Sequence, residues 1–190
     1  LPAGRQADAL DEELLGMVSA LRGKYEEHME KYAFQNALAE VFKVIQRANK
    51  YIDETAPWVL GKDVEANGDR LATVLYNLLE TVRICAGLLS PFMPETSEAI
   101  AQRLGGACMD WDSLNQFGLL PAEVATVNGS ALFPRIDMEK ELAILRAKLP
   151  HVDDRLCAQV ALAVQNLRSN EAILKKPSIA ETLDWAAALD

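Results

Sequence analysis

Between Leu10 and Leu104 apolar side chains return every three or four residues, and prolines and glycines cut that pattern into helix-length pieces. Such spacing gathers the apolar atoms into one stripe per helix. In the first piece the stripe is Leu10, Leu14, Val18, Leu21, Tyr25 and Met29, and Asp11, Glu12 and Glu13 stand near the start, where a helix favours negative charge. A second helix runs roughly from Phe34 to Glu54. Phe34, Leu38, Val41, Phe42, Ile45, Ala48 and Ile52 share one face, while Gln35, Lys43, Arg47, Lys50 and Glu54 fall mainly on the other. It stops near Ala56, because Pro57 disfavours helical backbone in the residue before it and has no N–H to donate. After Asn67 and Gly68, Asp69 is a plausible N-cap for a third helix with the stripe Leu71, Val74, Leu75, Leu78, Val82 and Cys85, ending at Ser90-Pro91. Pro94 suits the first turn of a fourth, which carries Ile100 and Leu104 and is stopped by Gly105 and Gly106. Helices joined by such short turns predict an all-α, antiparallel bundle.

Beyond Gly106 the periodicity breaks. Phe117 to Pro121 and Val124 to Phe133, the latter turning at Asn128-Gly129, read as short extended segments around a hairpin-like turn. Helical spacing returns at Met138 to Lys148, Val152 to Leu167 and Ser178 to Leu189. The predicted organisation is therefore a bundle over 1–106, a post-bundle segment with hairpin and helix over 107–150, and a helical tail over 151–190. A chain of 190 residues, 50% of them apolar, suffices for one sizeable core or for a bundle with an appendage.

Cys85, Cys108 and Cys157 are odd in number, widely spaced and without a CxxC, which argues against a disulfide framework and fits a reducing cytoplasm. No apolar run reads as long and clean enough for a bilayer, and the N-terminus lacks a signal-peptide pattern. His28 and His151 lie in no metal-ligand spacing, and P-loop, GxGxxG and GxSxG patterns are missing, so no catalytic residue, metal or cofactor is expected in this chain. The Asp and Glu residues read as solvated helix faces. A net charge of −9 excludes a long electrostatic footprint on nucleic acid, DNA included, because that mode depends on many Lys and Arg side chains releasing counterions. An RNA contact made by stacking a few bases on aromatic faces is compatible with it.

Trp58 is where such a contact could be made. It follows Pro57 at the end of the second helix, and two readings are open: the indole plugs the end of the bundle core, or it projects as a preorganised platform for an unstacked base. Lys50 and Lys62 could then meet phosphates and Asn49 a base edge, although each also reads as an ordinary surface residue.

The run E-E-H-M-E-K-Y (Glu26 to Tyr32), A-N-K-Y-I-D-E-T-A-P-W-V-L-G-K (Ala48 to Lys62), R-L-A-T-V-L-Y-N-L-L-E (Arg70 to Glu80), S-P-F-M-P-E-T (Ser90 to Thr96) and G-x-x-L-F-P-R-I-D (Gly129 to Asp137) resembles the anticodon-binding bundle of methionyl-tRNA synthetases over roughly residues 9 to 145. The resemblance implies a tRNA anticodon-binding module, with Pro57 and Trp58 helping to recognise the anticodon loop of tRNA(Met) and the indole stacking on its first base. It implies as partner a catalytic domain, upstream in cis or in trans, to which ATP and Mg would belong. The family's upstream helix, which adds an asparagine and an arginine to the same site, has no counterpart in this sequence, so a fragment, a fusion or a composite is expected. Separately, K-K-P-S-I-A-E-T-L-D-W-A-A-A-L in the last forty or so residues resembles the lid end of a MoxR-type AAA+ ATPase. The alternative function is a non-catalytic helical interaction module, or a lid-bearing fusion fragment.

Overall fold

A computed structural model describes residues 8–121, 125–133, 137–170, 172–173 and 176–190. They form two compact units, divided between Leu132 and Phe133.

In the first unit α1 (Ala9–Glu30) begins on a capping box. Asp8 accepts from the Leu10 N–H while the Asp11 carboxylate accepts from the Asp8 N–H at 2.8 Å, so helix donors that would otherwise be orphaned are satisfied. After a tight turn, with Tyr32 in the left-handed region, α2 (Phe34–Thr55) runs back along α1. Their shared seam is Leu14, Val18, Leu21 and Tyr25 against Ala37, Val41, Val44, Ala48 and Tyr51. Complete burial of the leucine and valine side chains among them contributes about 1.5–3 kcal/mol each. A four-residue helix, α3 (Pro57–Leu60), separates α2 from α4 (Val64–Leu89). α5 (Pro94–Arg103) packs on α4 and ends at Gly105 and Gly106, whose positive φ angles of 74° and 78° suit glycine.

Several expectations need correction. Asp69 is not an N-cap: α4 starts one and a half turns earlier, where the Asp63 carboxylate accepts from the Ala66 N–H at 3.1 Å, and Asn67 and Gly68 are carried inside the helix. The α4 stripe is also displaced. Leu75 and Val82 are exposed, whereas Val74, Tyr76, Asn77, Glu80, Arg83, Ile84 and Leu88 are buried, because this helix has neighbours on several sides. Phe34 and Phe42 of α2 are likewise exposed. By length and hydropathy alone α4 could cross a membrane, contrary to the reading that no run was long enough; 72% of its apolar window is buried inside the protein, as befits the central helix of a bundle.

No strand occurs among the described residues, so the expected hairpin is not formed by them; residues 122–124 lie outside that set. A single 3-10 turn at Ser113–Asn115 is followed by irregular chain whose polar groups are met by the helices. Glu80 accepts the N–H groups of Gly118 (3.0 Å) and Leu120 (2.5 Å), Tyr76 donates to the Leu120 carbonyl (2.8 Å), and Val127 donates to the Arg103 carbonyl (2.9 Å). Arg83, paired with Glu80 at 2.9 Å, reaches the carbonyls of Cys108, Ser113 and Gln116.

The second unit contains α6 (Met138–Lys148), α7 (Asp154–Ser169) and α8 (Ile179–Leu189), with Leu145, Val152, Cys157, Val160, Ala161, Val164 and Ala186 as its core. Glu141 is fully buried there and accepts from Gln165, Arg168 and Thr182, each at 2.8 Å. The expected 107–150 segment is thus divided. Its first part belongs with the bundle, and its helix packs with the tail, because the apolar face of α6 meets α7 and α8.

Candidate nucleic-acid interface

The end of α2 turns by a short, well-defined route. Thr55 Oγ1 donates to the Tyr51 carbonyl at 2.6 Å, and Ala56 adopts the left-handed conformation (φ 43°, ψ 60°) with its N–H on the Ile52 carbonyl. A non-glycine residue in that region costs about 1–2 kcal/mol, so the surrounding structure must hold it there. Pro57 then occupies the first position of α3, where its missing N–H is no loss, and Gly61 closes the turn by donating to the Pro57 carbonyl at 2.9 Å.

The reading of Trp58 as a plug for the bundle core does not agree with this geometry. Trp58 is 58% exposed and Val59 beside it is 52% exposed, while Leu60 packs on the core. Leu60 therefore anchors the short helix, and the tryptophan stands outward from it instead of plugging the bundle. Pro57 and Trp58 are together by construction. Lys62 follows in the exposed turn before α4 and forms no ion pair among the described residues. Asn49 is exposed on α2 two turns before the corner. Lys50 is exposed too, but it pairs with Glu54 at 3.3 Å, and Glu54 also meets Arg47 at 3.0 Å. From Asn49 to Ala66 the surface carries the carboxylates of Asp53, Glu54, Asp63 and Glu65 against two lysines. This is a poor surface for a row of phosphates and a sound one for a flat, apolar ring.

Behind the corner lies a cluster that the sequence reading missed. Asp11, placed among solvated carboxylates, is only 2% exposed. Its two oxygens receive the Arg70 guanidinium at 2.6 and 2.9 Å and the Tyr51 hydroxyl at 2.5 Å, and Asn77 donates to that hydroxyl at 3.4 Å. Burial pushes the Asp11 carboxyl upward, but the hydrogen bonds from Arg70 and Tyr51 outweigh it and hold it below the usual carboxylate range. Burial and the Asp11 carboxylate push the Tyr51 phenol up to about 12. The signal was present in the spacing: Asp11 falls on the line of Leu14, Val18, Leu21 and Tyr25, so its side chain had to enter the seam.

Comparison with known proteins fits this architecture. Residues 1–149 match the family model described as the anticodon binding domain of methionyl tRNA ligase. The methionine–tRNA ligase of Caldanaerobacter subterraneus is 49% identical over 150 residues, covering 78% of this chain and 23% of that protein. That of Clostridium tetani is 46% identical over 147 residues, covering 77% and 23%. The crystal structure of the free Mycobacterium tuberculosis methionyl-tRNA synthetase superposes with a TM-score of 0.65 at 31% identity, covering 72% of this chain and 28% of that one. The chain thus spans about a quarter of the length of the curated relatives it matches. Since the family model stops at residue 149, the likeness of the tail to an ATPase lid rests on its own sequence alone.

Proposed function

We propose, from the premise that this chain belongs to the family of methionyl-tRNA ligase anticodon-binding domains, that Trp58 is its platform for an anticodon base of tRNA(Met). The observation that carries this reading is a tryptophan 58% exposed on a four-residue helix whose first residue is proline. An aromatic face held in this way loses little conformational freedom when a base stacks on it, and stacking is indifferent to the acidic balance of the surroundings. Pro57 sets the direction of the ring. Asn49 and Lys62 are free to add a base-edge and a phosphate contact, and Lys50 contributes less because Glu54 already engages it. The partner in aminoacylation is a methionine- and ATP-binding catalytic domain, and this chain's part is to secure the right tRNA for it.

The test is Trp58→Ala, measured by titrating the chain with an RNA stem-loop bearing CAU and with one bearing a scrambled loop. Loss of a single stacking platform lowers affinity for the CAU loop by about 1–3 kcal/mol. Since no residue of α3 is buried, the helical content and melting of the variant stay close to those of the parent. Undiminished CAU affinity in a folded variant eliminates the platform. Equal binding of the two loops by the parent chain favours a helical interaction module instead.

A further inference from the structure

We propose that Asp11, Tyr51 and Arg70 are positioning residues for base recognition, a buried clamp that holds the three helix ends from which the Trp58 corner is suspended. The proposal rests on the reading of Trp58 as the platform, and it has a consequence that can be measured without RNA.

Within α3 itself, Leu60 is the side chain that packs on the core. α3 has four residues, none of them buried, and no side-chain cap, and it follows a left-handed alanine. Its position is inherited from the end of α2 on one side and the start of α4 on the other. The clamp joins those two places. Tyr51 lies in the last turns of α2 and its carbonyl receives Thr55, the last residue of that helix. Arg70 lies near the start of α4, next to Leu71, whose Cδ2 is 4.0 Å from where a Cβ on Gly61 would stand. Asp11, in the first turn of α1, receives both side chains on one carboxylate and also the N–H of Asp8. A bidentate guanidinium with a third donor fixes distance and angle at once, which a greasy contact between the same helices would not do. Asp11 and Tyr51 are buried and the Arg70 side chain is only 14% exposed, with both of its contacts to Asp11 made in the folded chain, so the clamp is assembled before any ligand arrives.

The experiment uses the full 190-residue chain carrying Trp111→Phe and Trp185→Phe, which leaves Trp58 as its one indole. Into it are placed Arg70→Met, Tyr51→Phe and, as a control for general destabilisation, Glu80→Gln; Glu80 lies ten residues along α4 from Arg70, about 15 Å away. Two quantities are read in the folded protein: the nanosecond anisotropy decay of Trp58, and the ratio of affinities for the CAU and scrambled stem-loops. Arg70→Met is expected to add a fast decay component and to reduce the ratio on the order of tenfold, with Tyr51→Phe moving both in the same direction by less. Glu80→Gln should lower the melting temperature and leave both unchanged. Should Arg70→Met not fold, Tyr51→Phe decides, since it removes one hydroxyl and keeps the ion pair. An unaltered decay in the folded clamp variants overturns the proposal whatever RNA does, and so does a freed indole with an unaltered ratio. Undiminished binding by Trp58→Ala strikes the platform reading and not the clamp's hold on the corner.

Discussion

The first unit buries a carboxylate against a guanidinium in two places, at either side of the middle of α4. Glu80 and Arg83 are three residues apart on one helix and almost wholly enclosed; their remaining hydrogen-bonding capacity goes to the backbone of residues 108–120, a stretch with little secondary structure of its own. Asp11 and Arg70 are 59 residues apart, join α1 to α4 and, with Tyr51, to α2, and leave Arg70 14% exposed. The first pair substitutes for the missing ladder of an irregular chain, so that its loss exposes unsatisfied N–H and C=O groups. The second adds angular definition to helices that already pack through Leu14, Val41 and Val74. A buried ion pair can therefore serve completeness of hydrogen bonding or precision of placement, and the two roles separate by what a mutation costs.

Glu80→Ala should have the largest effect, about 3–5 kcal/mol, because it strands the Arg83 charge and two backbone donors in the interior. Urea unfolding followed by far-UV circular dichroism measures it, and a loss under 1 kcal/mol would remove the contrast between the pairs. Arg70→Met should cost less, about 1–3 kcal/mol, as Asp11 keeps the Tyr51 hydroxyl and the Asp8 N–H. A loss equal to that of Glu80→Ala would make the second pair as structural as the first.

Proton linkage sharpens the same comparison on a smaller scale. The folded Asp11 carboxyl is depressed, so its contribution is fully present above the unfolded value of about 3.9 and is lost as pH falls through the folded value. The Tyr51 phenol is raised to about 12, so its contribution is present below about pH 10 and is lost between about 10 and 12. Stability curves of Asp11→Asn and Tyr51→Phe should be flatter than the parent's in the acid and alkaline ranges respectively; parallel curves would mean that neither group is coupled to folding. The smallest expected change is a gain. Ala56→Gly removes the strain of a left-handed residue and should add about 0.5–1 kcal/mol, measurable as a rise in melting temperature.

The helices were legible in the sequence because their stripes are long and their stops are prolines and glycines. α2 ends within one residue of its predicted end, and α6 spans Met138–Lys148 as the spacing predicts. What escaped was polar. Asp11, Glu80 and Glu141 look like surface carboxylates when read one at a time, and their partners Arg70, Arg83 and Arg168 look like surface cations; only the three-dimensional meeting of distant turns pairs them. The start of α4 was misplaced for a related reason, since Gly68 weakens a helix locally while the packing of α4 on α2 and α5 more than restores it. Trp58 was found as a corner residue, but the depth of its ring could not be had from spacing. It depends on Leu60, not Trp58, being the side chain turned to the core.

The left-handed Ala56 has a consequence for anyone wishing to move this surface to another scaffold. Its backbone conformation is not one that Ala-Pro-Trp adopts unaided, so a graft of those three residues onto the end of an unrelated helix would carry the aromatic ring and lose its direction. The transferable object is larger than the motif: the first turn of one helix, the last turns of a second and the opening turns of a third, copied together with the carboxylate that binds them.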